Sequence, residues 1–427
     1  MKNSSKLMAA SLAVAMTVAG IAGCSSKDAG TNAGGEKKEN VKLTMTSWRV
    51  EDTKQYEKII EEFKKANPGI DIEFKAQKAT EYDTILDTAL KGGQAADIIQ
   101  LRPYSGATKI ADAGYLEPLD SLKGISNIDA SYYEAAKGSD GKIYGIPLST
   151  NTTQIYYNKK LFEKAGVSVP KTWDELVQVA KTLKEKKITP FALGAKDGWI
   201  LSLTHATIGP DVYGGKDFVQ KVLKGETNFK DAKFVDSIKR FNDLTPYFPE
   251  NFTGLSATDG QALFFTEQAA MYIGGSFDLQ PIRDKNKNLD FDFFPCPPAS
   301  SGGKGTITTW VDGSFGVNKN SKHKAEAMKF MEFMTTKEFG QLFADNLGRV
   351  SAVKGVTPKD PMVKKMAEYS ETIGTPYMIL IHFAQGNPST KKTLENELQG
   401  MFLKQATPEQ VAQKVQESAN SWFKPKK

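Results

Sequence analysis

The chain has 427 residues but only two cysteines, Cys24 and Cys296. It can hold one disulfide at most, so the fold must rest on its core, which a chain this long can bury. Cys296 lies in Phe293-Phe294-Pro295-Cys296-Pro297-Pro298 with no basic neighbour, and reads as a buried small hydrophobe. Histidine is almost as scarce. His205, His323 and His382 are far apart and lack metal-ligand spacing. No phosphate loop is complete: Gly209 to Lys216 is one residue too long, and Asp217 stands where Ser or Thr would hold magnesium. Gly303-Lys304-Gly305 lacks the third glycine of a dinucleotide loop. Gly313-Ser314-Phe315-Gly316 lacks the spacing of a nucleophile elbow. Acidic pairs such as Glu51 and Asp52 are common in chains of this size. No catalytic residue, metal or cofactor is therefore expected, and the chain reads as a binder and not an enzyme. Its +6 charge is spread over 56 basic and 50 acidic residues. No basic patch interleaved with aromatics stands out, so nucleic acid is not an expected partner.

Long apolar runs are missing except at the N-terminus. There Lys2 and Lys6 precede the run Leu7 to Ala22, which ends at Gly23-Cys24. The run is short for a membrane span, and it reads as a secretory signal over 1–23. Ile21-Ala22-Gly23-Cys24 resembles the bacterial lipobox, which implies cleavage before Cys24 and lipid on that residue. The alternative is a plain signal with Cys24 incidental. Positions 24–40 are then a lipidated cysteine and a flexible tether, because Ser25 to Asn40 carries no large apolar side chain.

Beyond the tether, strands and helices alternate. Val41, Leu43 and Met45 share one strand face. Tyr56, Ile59, Ile60 and Phe63 share a helix face that stops at Asn67-Pro68-Gly69. Ile70 to Ala76 is a second strand. Tyr82, Ile85, Leu86 and Leu90 mark a second helix, and Asp97 to Leu101 a third strand. This order predicts an α/β fold with a parallel sheet, where ligands bind beyond the carboxyl ends of the strands. Further on, Thr172 and Glu175 have capping-box spacing, with Trp173 stapling the helix start. Residues 211–260 read as peripheral helices. Gly260 to Met271 reads as a helix feeding a short apolar strand that breaks at Gly274-Gly275.

One stretch organises the rest. Gly141 to Asn158, GKIYGIPLSTNTTQIYYN, is extended and β-branched, yet its middle has no large apolar side chain. It can be a hairpin with a Ser/Thr/Asn turn, or a crossover between two cores. Two later stretches have the same polar interruption, at Asp312-Gly313-Ser314 and at 346–351, and favour the crossover. Three crossings give two lobes: 41–148 plus 315–345, and 153–310 plus 350–427, with hinges at 149–152, 311–314 and 346–349. Thr150 and Asn151 should then line the cleft floor.

An aromatic also recurs beside Asp, Arg or Ser at predicted strand edges: Trp48-Arg49, Arg102 with Tyr104, Trp199, Ser276-Phe277-Asp278 and Trp310 with Asp312. Sugars suit such a surface. Their C–H faces pack on rings, and their hydroxyls take charge-assisted hydrogen bonds. Glu51, Tyr82 and Arg349 complete the expected ligand-binding set.

Several segments resemble the extracellular solute-binding proteins of bacterial ABC transporters, in particular the carbohydrate-binding group related to maltose-binding protein. They are the helix ending Phe63-Lys64-Lys65-Ala66-Asn67-Pro68-Gly69, Asp140 to Pro147, Tyr156-Tyr157-Asn158-Lys159, Pro170 to Leu176 and Ala270 to Gly275. The resemblance implies a two-lobed periplasmic-binding-protein-like fold. It also implies a carbohydrate, by the group's habit an oligosaccharide, held between the lobes and passed to ABC permease subunits. Phe277 matches a place where the maltose-binding relative stacks a Trp on sugar. The group also includes binders of glycerol phosphodiesters and peptides, and Arg49, Arg102 and Arg349 would suit a uronate. A carbohydrate-active enzyme and a sensory subunit are the other readings. The expected setting is extracytoplasmic: a lipid-anchored monomer on the bacterial cell membrane.

Overall fold

A computed structural model describes residues 40–425. The signal segment, Cys24 and all of the tether except Asn40 lie outside the described residues. Twelve strands are present among those described. They are β1 (Val41–Ser47), β2 (Ile70–Ala76), β3 (Ile98–Leu101), β4 (Ile146–Pro147), β5 (Ser149–Asn158) and β6 (Thr189–Ala192). Then follow β7 (Ala269–Gly275), β8 (Phe291–Phe294), β9 (Ile307–Val311), β10 (Ser314–Val317), β11 (Val350–Ser351) and β12 (Gly374–Pro376).

The strands form two mixed sheets, each flanked by helices. The first runs β2-β1-β3-β10-β4, with β1 parallel to β2 and β3, and β10 antiparallel to β3 and β4. The helix Thr53–Ala66 covers it with Tyr56, Ile59, Ile60 and Phe63 buried, at the spacing that defines one helix face. Asn67 ends that helix, and Gly69 then turns at φ +98°, which glycine adopts at no steric cost. The second sheet runs β12-β9-β5-β7-β6, with β8 and β11 also paired to β5. Each sheet has its own apolar core. Leu43, Phe63, Phe315 and Phe330 belong to the first, and Ile155, Phe191, Phe241 and Leu398 to the second.

The extended stretch is a crossover. Ile146-Pro147 pairs with Phe315 and Ser314 in the first sheet, while Thr150 to Thr153 pairs with Val311 to Thr308 in the second. The chain changes core at Leu148. Asp312-Gly313 makes the return step between β9 and β10. The third crossing is drawn out. Val350 and Ser351 pair with β5, but Ala352 and Val353 still pack in the first core, because Val353 bridges Ile128.

Three local expectations need correction. The helix before β7 spans only Ala257–Phe265, and the strand runs on through Gly274-Gly275, which pair with Gln154 and Thr153. The glycines are needed for close approach and do not break the strand. A Cβ on Gly274 would lie 2.3 Å from a Tyr272 ring carbon, and one on Gly275 2.1 Å from a Phe277 ring carbon. The capping box at Thr172 is half-formed: its hydroxyl accepts the Glu175 amide at 3.2 Å, but Glu175 reaches back to the Lys171 amide at 2.6 Å. The 211–260 region is not merely peripheral. Its helices bury Phe218, Phe234 and Phe241 in the second core, because each is amphipathic.

Candidate functional site

The two lobes meet along a seam of rings and charges at the carboxyl ends of β1 and β3. Trp48 directly follows β1, and Arg102 follows β3. In the first lobe the Trp48 and Tyr82 rings meet edge-on at 5.6 Å, and the Arg102 guanidinium lies 4.3 Å from the Trp48 ring. Arg102 is held there by Asp83 at 3.0 Å and by the Ala79 carbonyl at 2.7 Å. In the second lobe Trp199, Phe277, Trp310 and Tyr377 form a chain, with successive centroids 6.4, 6.4 and 5.3 Å apart.

Arg49 joins the two sets. Its guanidinium is 5.8 Å from the Trp48 ring and 4.9 Å from the Phe277 ring, a cation on two aromatic faces from opposite lobes. It donates to Asp312 at 2.7 Å and lies 3.5 Å from Glu51. Burial alone would weaken the Arg49 charge, but Asp312, Asp52 and Glu51 outweigh it and raise its pKa. Burial likewise pushes Asp312 up, and Arg49 and Arg349 reverse this, leaving the carboxyl below its ordinary value.

Of the expected residues, Trp48, Arg49, Glu51, Tyr82, Arg102, Trp199, Phe277, Trp310 and Asp312 come together here. Within that group the Tyr82 phenol is already engaged, donating to the Gln100 carbonyl at 2.6 Å. The rest lie outside that group. Asp278 is buried and accepts from the Gly275 amide, the Tyr272 hydroxyl and the Gln261 amide. Burial raises its carboxyl to about 7. Ser276 donates to Asn151 at 3.2 Å and accepts the Thr152 amide at 3.1 Å. Thr150 and Asn151 are buried within the paired strand β5, with the Thr150 hydroxyl and the Asn151 side-chain amide nitrogen unpartnered. Arg349 is buried and donates to both oxygens of Asp52. Reasoning from sequence set Tyr104 beside Arg102 at a strand edge but missed Asp52 and Tyr377 as parts of this constellation. Tyr377 follows β12 as Trp48 follows β1, so the same strand-end signal could have found it. Cys296 is fully buried and its thiol is pushed up to about 12 by that burial, as suits a core position. Among the described residues no group of His, Cys, Asp and Glu could hold a metal ion, and no helix is long and apolar enough to cross a membrane.

Two helix-covered sheets, three crossings and an aromatic seam between them define a two-lobed solute-binding protein. The chain belongs to the bacterial extracellular solute-binding protein family, whose profile matches residues 47–341. It is 29% identical over 340 residues to the multiple sugar-binding protein of Streptococcus mutans, covering 77% of this chain and 80% of that protein. A solved chitin oligosaccharide binding protein superposes with a TM-score of 0.76 at 29% identity, over 90% of this chain and 98% of the other. A solute-binding protein solved with raffinose superposes with a TM-score of 0.76 at 24% identity, over 89% and 99%, and shows the shared fold. The family is extracellular, and its members are binding proteins.

Proposed function

We propose that this chain binds an uncharged carbohydrate between its lobes and delivers it to an ABC permease. Trp48, Trp199, Phe277 and Trp310 supply stacking faces, while Arg49, Arg102 and Asp312 supply hydrogen bonds to hydroxyls. Glu51, Tyr82, Thr150, Asn151, Ser276, Asp278 and Arg349 support that surface. The carrying observation is the Arg49 guanidinium set between Trp48 and Phe277 of opposite lobes. A ligand bridging those rings would favour the closed form by its differential affinity. The relatives named above support the sugar class. Each of the three arginines already has a carboxylate partner, Asp312, Asp83 or Asp52. That argues against a uronate or a phosphodiester, which would need a free cation. Lipid on Cys24, a monomeric state and the lack of catalysis belong to the same proposal, as do lobe boundaries near 148, 312 and 350.

The test is a thermal-shift screen followed by calorimetry. Neutral oligosaccharides, raffinose and chitin oligosaccharides included, are compared with uronate oligosaccharides of equal length. A neutral sugar should raise the midpoint and be recovered intact after incubation. Response to a peptide or phosphodiester alone would overturn the sugar reading. Hydrolysis would overturn the non-enzymatic one.

A further inference from the structure

Positions 103–105 hold a feature that stacking on sugar does not explain. Tyr104 stands at φ 58°, ψ −120°, a backbone conformation suited to glycine and strained for a ring-bearing residue. The strain is held on both sides. The Tyr104 amide donates to the Ala135 carbonyl at 2.8 Å within the first lobe. Its ring packs against the core of the second lobe, and its hydroxyl accepts the Val311 amide of β9 at 3.1 Å. The next residue crosses the seam too: the Ser105 hydroxyl donates to the Ala384 carbonyl at 2.9 Å. Another crossing bond runs from Gln55 to Asp284 at 3.3 Å. Val311 lies beside Trp310 and one residue from Asp312, the partner of Arg49. The strained turn therefore takes hold of the strand that carries Trp310 and leads into Asp312.

We propose that Tyr104 and Ser105 are positioning residues that clasp the lobes together, and that their two bonds set how tightly the protein closes. The crossing contacts help to hold that strained turn, so the open form gains when they are lost. The clasp itself is independent of ligand identity. Its consequence for affinity rests on the seam being the ligand cleft.

The experiment uses the full chain without added sugar. Tyr104→Phe keeps the ring and removes the acceptor of the first bond, and Ser105→Ala removes the donor of the second. Hydrogen exchange over 307–313 and small-angle X-ray scattering are read on the wild type, each variant and the pair. In Tyr104→Phe the Val311 amide should exchange about tenfold faster, the loss of one hydrogen bond. The radius of gyration should rise in the order wild type, single variants, double variant. Exchange at Leu43 and Ile155 in the two cores should not change. Tyr104→Gly, which suits the turn, should open the lobes without unfolding them. The same Val311 exchange and the same radius in wild type and double variant would overturn the proposal. So would a wild type that already scatters as widely as the double variant. Failure of every sugar to bind would remove the proposed function and leave these readings intact.

Discussion

The Arg349 guanidinium donates to both oxygens of Asp52, at 2.6 and 2.7 Å, with neither side chain more than 4% exposed. Asp52 belongs to the loop after β1, and Arg349 to the third crossing, 297 residues away. The pair thus ties the last hinge to the loop that presents Arg49. Removing one partner leaves a buried charge alone. Asp52→Asn or Arg349→Met should each destabilise the fold by about 3–5 kcal/mol, read as a lowered urea midpoint. The double variant should recover part of that loss, since it strands neither charge.

Trp48→Ala should weaken sugar binding by about 1–3 kcal/mol, from lost ring burial. It also takes away the face on which Arg102 rests. Trp310→Ala should weaken binding to a similar degree and lower thermal stability as well, because Trp310 is packed on Tyr377. Unchanged affinity by calorimetry in both variants would remove the stacking proposal.

Gly313 is a close-approach position. A Cβ there would lie 2.3 Å from the Trp48 ring and 2.7 Å from the Leu101 carbonyl oxygen. The ring can swing aside, but the carbonyl belongs to β3 and cannot. Gly313→Ala should destabilise by about 1–3 kcal/mol through overpacking and reduce sugar affinity by displacing Trp48. Fluorescence emission of the ligand-free protein should report the moved indole.

Two buried groups should give opposite pH dependence. His205 is fully enclosed and its pKa falls from 6.5 to about 4, because burial penalises the imidazolium. Its contribution is present above 6.5 and is lost as pH falls toward 4, about 3 kcal/mol in all. Asp278 is raised from 3.8 to about 7, so the fold prefers the protonated acid and loses stability as pH rises across that window, by about 4 kcal/mol. The two nearly cancel in the wild type. Asp278→Asn should leave a protein less stable at pH 4.5 than at 7, and His205→Gln one more stable at 4.5, both by urea melts. Parallel profiles in both variants would contradict the assignment.

The apolar spacing of Tyr56, Ile59, Ile60 and Phe63 determined the first helix, and the alternation from Val41 to Met45 determined its neighbouring strand. Both are local patterns with a single period, and they survive in the fold. The polar middle of Gly141 to Asn158 left hairpin and crossover open, and the same interruption at 312–314 and 346–351 pointed to a change of core. Which polar residues face the seam was not legible there. Ser276, Asn151 and Thr152 bond one another, because β5 and its neighbours close over them, and that depends on partners more than a hundred residues away. Asp278 and Phe277 are adjacent in sequence, yet one is buried under Tyr272 and the other meets Arg49. Tyr377 joins the aromatic set because β12 pairs with β9 and sets its ring on Trp310, and Tyr104 reaches that strand only through the way the two sheets meet. The sequence alone determined the αβ alternation and the crossings, which rest on periodicity and local propensity, and the family, which rests on segments that resemble it. The pairing of Arg49 with Asp312 and of Arg349 with Asp52 was decided by tertiary structure, because long-range burial chooses which charges must find each other.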